Sequence, residues 1–430
     1  DDIPSLCDAL VRRWSTTHGD ALIRDCICLM WMARDGLSEP EIKALLGVSD
    51  VHWSQLLATL GDHVVWHRGL LTLNQKDLKK VVKRRFMPTR AERSTYDRRL
   101  ATFFFKREST ARNCRELCHH LTHVAKSSTQ NSSDVELNSM LIEAATDAQR
   151  VWRMQRIDVN ALVALWRASL TIVNGGEESL LKSLHDSLET LSSSDVTSAE
   201  ISSRKRAAAL MLSELAHYDD AAALLRQALE LDKFMYGGAH VVIVRELVAL
   251  ARVQEKKGEL KEAQLSADAA RTIAERLGGG QQQSCALEAL LCGARTAKKL
   301  GEYDAARDLI HRALELHRND RVLPPLPSVD QNAQRRKPTQ SELRQAVLSG
   351  AVPLWTSLAD IERKQGNIEL AALLYEQSLS AIEIMFGNHS IRLAPLCRAL
   401  GIVAKKRAQY EIAERWQRRA LSLTEQHFGA

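Results

Sequence analysis

A six-residue pattern recurs five times in the second half of this 430-residue chain. Its copies occupy residues 216–221, 258–263, 301–306, 366–371 and 408–413, and the third position of each copy is Tyr, Leu or Ile. Counted at that position, successive copies lie 42, 43, 65 and 42 residues apart, and 65 equals 42 plus an insertion of 23 residues. A fixed period of this length predicts an array of similar structural units, each packed on the next.

Small residues occupy three further columns of the pattern. Ala stands three positions after the Tyr, Leu or Ile, Ala or Ser stands ten positions after it, and Ala or Gly stands nine positions before it. Such residues let two antiparallel helices approach closely, and Gly or Ala two positions before it suits a tight turn between them. The columns are Ala221, Ala263, Ala306, Ala371 and Ala413; Ala228, Ala270, Ala313, Ser378 and Ala420; and Ala209, Ala251, Ala294, Ala359 and Gly401.

These units resemble the tetratricopeptide repeat, in the long variety found in kinesin light chain and nephrocystin-3. The link M-F-G-N-H at 385–389 looks like the connector of that variety, and Y-G-G-A-H at 236–240 is similar. The resemblance covers about residues 203–430 and implies an α-α superhelix that holds other proteins. We therefore expect an all-α tetratricopeptide solenoid with five repeats at residues 201–430 and the insertion at about 319–341.

The first 125 residues predict helices followed by a small hairpin. Ser38, Pro40 and Gly47 have the order of an N-cap, a first-turn proline and a helix-ending glycine. Residues 64–73 predict two short strands around Arg68 and Gly69.

Helices are predicted before this hairpin at 22–33 and 51–60, and after it at 76–86. Three helices and a hairpin are the order of a winged helix. We therefore expect a winged-helix-like and helical region at 1–125, followed by a helical linker with pre-repeat hairpins at 126–200.

Short motifs in this region resemble the segment that follows the nucleotidase module of NACHT-type signalling ATPases. They are G-L-S-E at 36–39, Trp53 with Leu56 and Leu57, G-L-L at 69–71, Y-D-R-R-L at 96–100 and R-E-L-C-H-H-L at 115–121. The sequence contains no G-x-x-x-x-G-K-[S/T] phosphate-binding loop. The resemblance therefore implies a nucleotide module that lies upstream of residue 1 or has been lost. The nephrocystin-3 resemblance also implies a cilium or flagellum, within a cytoplasmic assembly.

Cations recur along the first helix of each predicted repeat, mostly near its C-terminal end. In tetratricopeptide proteins this helix lines the inner groove, so the resemblance implies a basic groove that binds an acidic segment of a protein partner. The alternative is that these cations offset the helix dipole and remain solvated. The candidate residues are Arg206, Arg245, Arg252, Lys256, Arg295, Lys298, Lys299, Arg363, Lys364, Arg398, Lys405 and Lys406.

The insertion contains R-V-L-P-P-L-P from Arg321 to Pro327, an R-x-x-P-x-x-P arrangement that an SH3-type domain could bind as a polyproline helix. A solvated, proline-rich loop is the alternative.

Cys114 and Cys118, and His119 and His123, are i, i+4 pairs with the spacing of metal ligands on one helix. The two pairs lie about 100° apart around that helix, which favours buried thiols and surface histidines over a metal site.

Basic residues at 79–99 could bind nucleic acid as an alternative to forming a solvated face, but few aromatic residues lie among them. Because these basic residues leave nucleic-acid binding open, an RNA-associated organellar protein is a third hypothesis for the function. Nucleotidase, hydrolase and metalloprotease motifs are missing from the sequence, so we expect no enzymatic activity and no cofactor. The net charge of +6 is compatible with an acidic protein partner or a nucleic acid. Eight scattered cysteines without C-x-x-C favour free thiols, and the lack of a long apolar run favours a protein that does not span a membrane.

Overall fold

Helices form almost all of the regular structure, which confirms the all-α prediction. The computed structural model describes residues 3–127, 134–191, 196–277, 280–318, 326 and 338–428. The chain divides into two compact units, Asp1–Leu224 and Leu225–Ala430. The predicted boundaries after residues 125 and 200 remain predictions.

The N-terminal unit contains twelve described helices, one hairpin and the start of a thirteenth helix. The helices are α1 (Ile3–His18), α2 (Asp20–Met32), α3 (Glu39–Leu46), α4 (Asp50–Leu60), α5 (Lys76–Phe86), α6 (Arg90–Phe105), α7 (Ala111–Ser127), α8 (Val135–Thr146), α9 (Ala148–Ile157), α10 (Val159–Ser169), α11 (Gly176–Thr190) and α12 (Ser198–Glu214); α13 (Tyr218–Tyr236) continues into the C-terminal unit.

Local sequence signals set several of these boundaries. Ser38 and Glu41 form a reciprocal capping box at the start of α3, and Gly47 ends that helix in the left-handed conformation with φ 67°. Both findings confirm the predicted start and stop. Thr89 and Thr197 begin α6 and α12 with the same type of capping box.

The predicted hairpin is also confirmed. Strands β1 (Val64–His67) and β2 (Leu70–Leu73) pair antiparallel around a two-residue turn in which Arg68 and Gly69 have positive φ. Leu37 forms an additional antiparallel bridge to Leu71. Because Leu71 and Leu73 are buried and β1 is mostly exposed, the hairpin covers the core with one strand only.

The C-terminal unit continues as alternating helices. Beyond α13 they are α14 (Val241–Lys257), α15 (Leu260–Leu277), α16 (Gly280–Leu300), α17 (Tyr303–Arg318), α18 (Gln340–Ser349), α19 (Val352–Gln365), α20 (Ile368–Phe386), α21 (Ala394–Lys406) and α22 (Tyr410–Phe428). Helices α14, α16, α19 and α21 are the first helices of repeats two to five and are called A helices below. Each packs against the helix that follows it, as a helix-turn-helix repeat requires.

The small-residue columns lie where two helices meet. All fourteen Ala and Ser residues of the columns are buried, and a Cβ added to Gly401 would stand 2.5 Å from Nε2 of Gln417. The turn positions Ala216, Gly258, Gly301, Gly366 and Ala408 all have positive φ, between 59° and 97°. In repeats two to five, this turn joins an A helix to the helix that packs on it, while the count of five repeats stays a prediction.

The predicted insertion at 319–341 lies largely outside the described residues, and so does the motif from Arg321 to Pro327, apart from Leu326. The structure differs from the prediction at its end, because α18 begins at Gln340 with a capping box from Thr339 and Glu342. This helix packs on α20, and Gly350 separates it from α19. Within the described part of the chain, no helix is both long and apolar enough to cross a bilayer.

Candidate protein-binding surface

Side chains of the predicted cationic set link successive A helices. Glu255 of α14 accepts from two residues of α16: Arg295 through Nε at 2.5 Å and Lys299 through Nζ at 2.9 Å. The Glu255 side chain is only 7% exposed, and a buried carboxylate is unfavourable unless its charge is paired. Arg295 and Lys299, which remain partly exposed, supply that pairing. This pairing places Arg295 and Lys299 on the surface that α14 and α16 share.

A second acid–cation cluster joins α16 to α19. Asp360 accepts from Nζ of Lys298 at 3.2 Å, from Nη2 of Arg363 at 3.4 Å and from the hydroxyl of Tyr375 at 2.6 Å. Burial by itself would raise the pKa of Asp360, but the Tyr375 hydrogen bond and the two cations hold that pKa below its ordinary value. The carboxylate is therefore ionised at neutral pH.

The third link joins α19 to α21. Lys406 donates from Nζ to the backbone carbonyl of Arg363 at 3.3 Å. Other predicted cations lie exposed on the A helices: Arg245, Arg252, Lys256, Lys364, Arg398 and Lys405. Arg206 belongs to the N-terminal unit, on α12, and is half-buried there.

One strong polar contact in this unit was not predicted from the sequence. Arg307 of α17 forms a bidentate ion pair with Glu362 of α19: Nε donates to Oε1 at 2.7 Å and Nη2 donates to Oε2 at 3.3 Å. The amide of Asn367 donates to the same carboxylate at 2.6 Å. Because Glu362 is almost fully buried, this pair fastens the helices on either side of the insertion. The repeat alignment carries no signal for it, since the two partners come from different columns.

A buried polar network lies in the N-terminal unit. His120 is fully buried, with Nδ1 2.7 Å from Asp97 and Nε2 3.2 Å from Glu116. Glu116 also accepts the backbone N–H groups of Arg34 and Asp35. Burial opposes a charged imidazole, yet the two carboxylates raise the pKa of His120 above its ordinary value. The network thus ties the end of α2 to α6 and α7.

The two i, i+4 pairs on α7 occupy different environments. Cys114 and Cys118 are buried, and burial raises both thiol pKa values, to about 12 for Cys118. The rings of His119 and His123 lie in contact, with centroids 4.3 Å apart and planes tilted by 52°. Among the residues that the structure describes, no group of three or more His, Cys, Asp or Glu side chains is arranged to hold a metal ion.

Two cations of the basic stretch on α5 are engaged in ion pairs. Arg85 contacts Asp8 at 3.0 Å and Lys80 contacts Asp77 at 2.9 Å. Lys83 and Arg84 are exposed. The nucleic-acid hypothesis for this region stays a prediction.

A model of the tetratricopeptide repeat family matches residues 397–430. The match identifies a tetratricopeptide repeat at the C-terminal end, and the preceding hairpins of this unit have the same helix-turn-helix form. No curated protein sequence matches the chain.

Several solved structures are similar at low identity. The kinesin light chain TPR-like repeats of Podospora anserina are 15% identical, with 54% of this chain and 99% of that chain covered and a TM-score of 0.41. A signal-transduction ATPase with numerous domains and a tetratricopeptide repeat sensor, from Pyrococcus horikoshii, is 12% identical, with 93% and 56% covered and a TM-score of 0.42. A Rap protein in complex with competence and sporulation factor is 13% identical, with 98% and 97% covered and a TM-score of 0.37.

Proposed function

We propose that this protein is a non-catalytic scaffold whose A-helix surface binds an extended acidic segment of a partner protein. The observation that best supports this proposal is the series of links between successive A helices, from α14 to α16, α19 and α21. Because each link contains a cation of the predicted set, basic side chains follow the array across four repeats. An extended peptide could contact them in sequence.

The charge balance of this surface also supports an acidic partner. Glu255 and Asp360 each contact two cations, so each of these two clusters keeps an excess of one positive charge. Arg252, Lys364 and Lys405 are exposed and have no ion-pair partner among the described residues. These three residues are therefore our candidates for direct contact with the partner, whereas the paired cations position the surface.

Charge reversal at the three exposed cations tests the proposal without breaking an internal ion pair. The probe is a fluorescein-labelled peptide of alternating Glu and Ser, and its affinity for the full chain is measured by fluorescence anisotropy at low and at physiological salt. Each exposed ion pair contributes about 0.2–1 kcal/mol. The triple variant Arg252→Glu, Lys364→Glu, Lys405→Glu should therefore weaken binding about tenfold or more, and added salt should weaken binding to the unmodified protein.

A matched control carries the same change of charge on other faces. Lys261→Glu, Arg344→Glu and Arg415→Glu alter exposed cations of α15, α18 and α22 and should leave the affinity within about twofold of the unmodified protein. Equal weakening in both triple variants would show that overall charge, and not this surface, governs binding. A chain that binds arbitrary RNA but not the acidic peptide would refute the proposal in favour of the RNA-associated hypothesis.

A second candidate function is the regulatory half of a NACHT-type signalling ATPase. The isolated bridge from Leu37 to Leu71 supports it, because it holds the segment before α3 against the two-stranded hairpin, within the region for which a winged helix is predicted. The full reading frame decides between the candidates. A phosphate-binding loop upstream of residue 1 favours the sensor role, and a complete frame without one removes it.

The resemblance to nephrocystin-3 suggests a ciliary or flagellar location for either role. A fluorescently tagged full-length protein tests this suggestion. Exclusion of the tag from cilia or flagella in cells that carry them would contradict it.

A further inference from the structure

A cleft of about 580 Å³ lies in the N-terminal unit, between the end of α2 and the facing parts of α6 and α7. Its volume falls within the range of small-molecule sites. Trp31, Met32 and Ala33 form an apolar wall, and the Trp31 side chain is half-buried there. This cleft has no role in the protein-binding function proposed above.

Four cations line the other parts of the cleft: Arg34, Arg90, Arg93 and Lys126. Arg93 donates through Nη1 to the carbonyls of Met87, at 2.9 Å, and Pro88, at 3.2 Å. Arg90 donates to the carbonyl of Lys126. A guanidinium carries five N–H donors, so these bonds orient both arginines and still leave donors for a ligand.

Negative charge in the described lining of the cleft is limited to one carboxylate. Asp97 is the one carboxylate among the described lining residues, and it is committed to His120 at 2.7 Å. Arg34 pairs with Asp158, which is not among the residues described along the cleft. His119 adds an uncharged ring at neutral pH, because burial lowers its pKa to about 4. The cleft therefore combines an apolar wall with an excess of fixed positive charge.

We propose that this cleft binds a small organic oxyanion: an aromatic or similarly apolar body that packs on Trp31, with one phosphate or carboxylate group that accepts from Arg93, Arg90 and Lys126. Planar guanidinium donors suit both kinds of oxyanion, because each presents two acceptor oxygens to the fork. The apolar wall gives such a ligand more contact area than a bare inorganic anion could use.

Isothermal titration calorimetry on the full chain tests this proposal with four probes: phenyl phosphate, phenylacetate, inorganic phosphate and benzyl alcohol. Phenyl phosphate and phenylacetate separate the two oxyanion classes, and at least one of them should bind about tenfold more tightly than inorganic phosphate or benzyl alcohol. If inorganic phosphate binds as tightly as phenyl phosphate, or if no probe binds at millimolar concentration, the proposal is overturned.

Variants locate the site. Lys126→Gln changes an exposed residue whose hydrogen bond to Arg90 uses its backbone carbonyl, so we expect the variant to fold normally. This variant and Arg93→Gln should each weaken the preferred probe about tenfold, since each removes a charge-assisted donor. Arg93→Lys should restore part of the affinity. Arg13→Gln is the matched control, because Arg13 is exposed on α1 and is not among the residues described along the cleft. Unchanged affinity in Lys126→Gln, or equal loss in Arg13→Gln, would contradict the assignment.

Discussion

The turns between the paired helices provide a quantitative test of the repeat architecture. Gly366 has φ 95°, whereas Ala408 occupies the equivalent position with φ 59°. A left-handed conformation costs a non-glycine residue roughly 1–2 kcal/mol. Exchange of Gly and Ala between these turns should therefore stabilise one hairpin and destabilise the other.

The expected size follows from two opposing effects. A Cβ added at Gly366 meets no atom within 4 Å, so steric clash adds nothing to the conformational cost. Replacement of Gly by Ala also restricts the unfolded chain, which returns about 0.4–1 kcal/mol. Gly366→Ala should thus lower the free energy of unfolding by about 1 kcal/mol, and Ala408→Gly should raise it by about 0.5–1 kcal/mol.

Hydrogen exchange followed by mass spectrometry is the suitable assay, because repeat arrays open locally and need not unfold in one step. Amides of α19 and α20 should exchange about fivefold faster in Gly366→Ala, and those of α21 and α22 about two- to fivefold more slowly in Ala408→Gly. Gly238 is exposed, lacks positive φ and has no neighbour for a Cβ, so Gly238→Ala is the control without a penalty. Unchanged exchange around α19 and α20 in Gly366→Ala would refute the reasoning.

Three further predictions concern buried polar groups and thiols. The raised pKa of His120 means that the folded state binds the imidazole proton more tightly than the unfolded chain does. The resulting contribution to the free energy of unfolding is fully present below about pH 6.5 and is lost as pH rises through the pKa of the folded state. Urea midpoints of the unmodified protein should accordingly fall between pH 6 and pH 9, and a His120→Gln variant with the same slope would contradict this assignment. Asp360→Asn replaces the charged acceptor of two cations and the Tyr375 hydroxyl, and should cost about 1–3 kcal/mol in urea unfolding. A shift no larger than that of an exposed control such as Asp308→Asn would show that the cluster is energetically neutral. All eight cysteines are buried, and burial raises the pKa of Cys26 and Cys118 to about 12. A thiol reagent should therefore modify these two cysteines slowly in the native protein and all eight rapidly in urea. Rapid modification of Cys118 in the native protein would show that this part of the core opens readily.

Sequence alone determined the repeat, its turns and its closely packed positions. These features depend on properties of single residues: Ala371 and Ala228 are small enough for a helix–helix contact, and Gly366 tolerates positive φ. Helix limits such as Ser38 and Gly47 were predictable for the same reason, because a cap is built from neighbours within a few residues.

Only the tertiary structure decided which charged residues bind one another. Glu255 meets Arg295 across 40 residues of sequence, Arg307 meets Glu362 across 55, and His120 meets Asp97 across 23. Such pairs depend on how helices stack and on side-chain rotamers, which the spacing of one sequence does not encode. The sequence therefore predicted a row of cations, and packing determined which of them link neighbouring helices and which stay exposed.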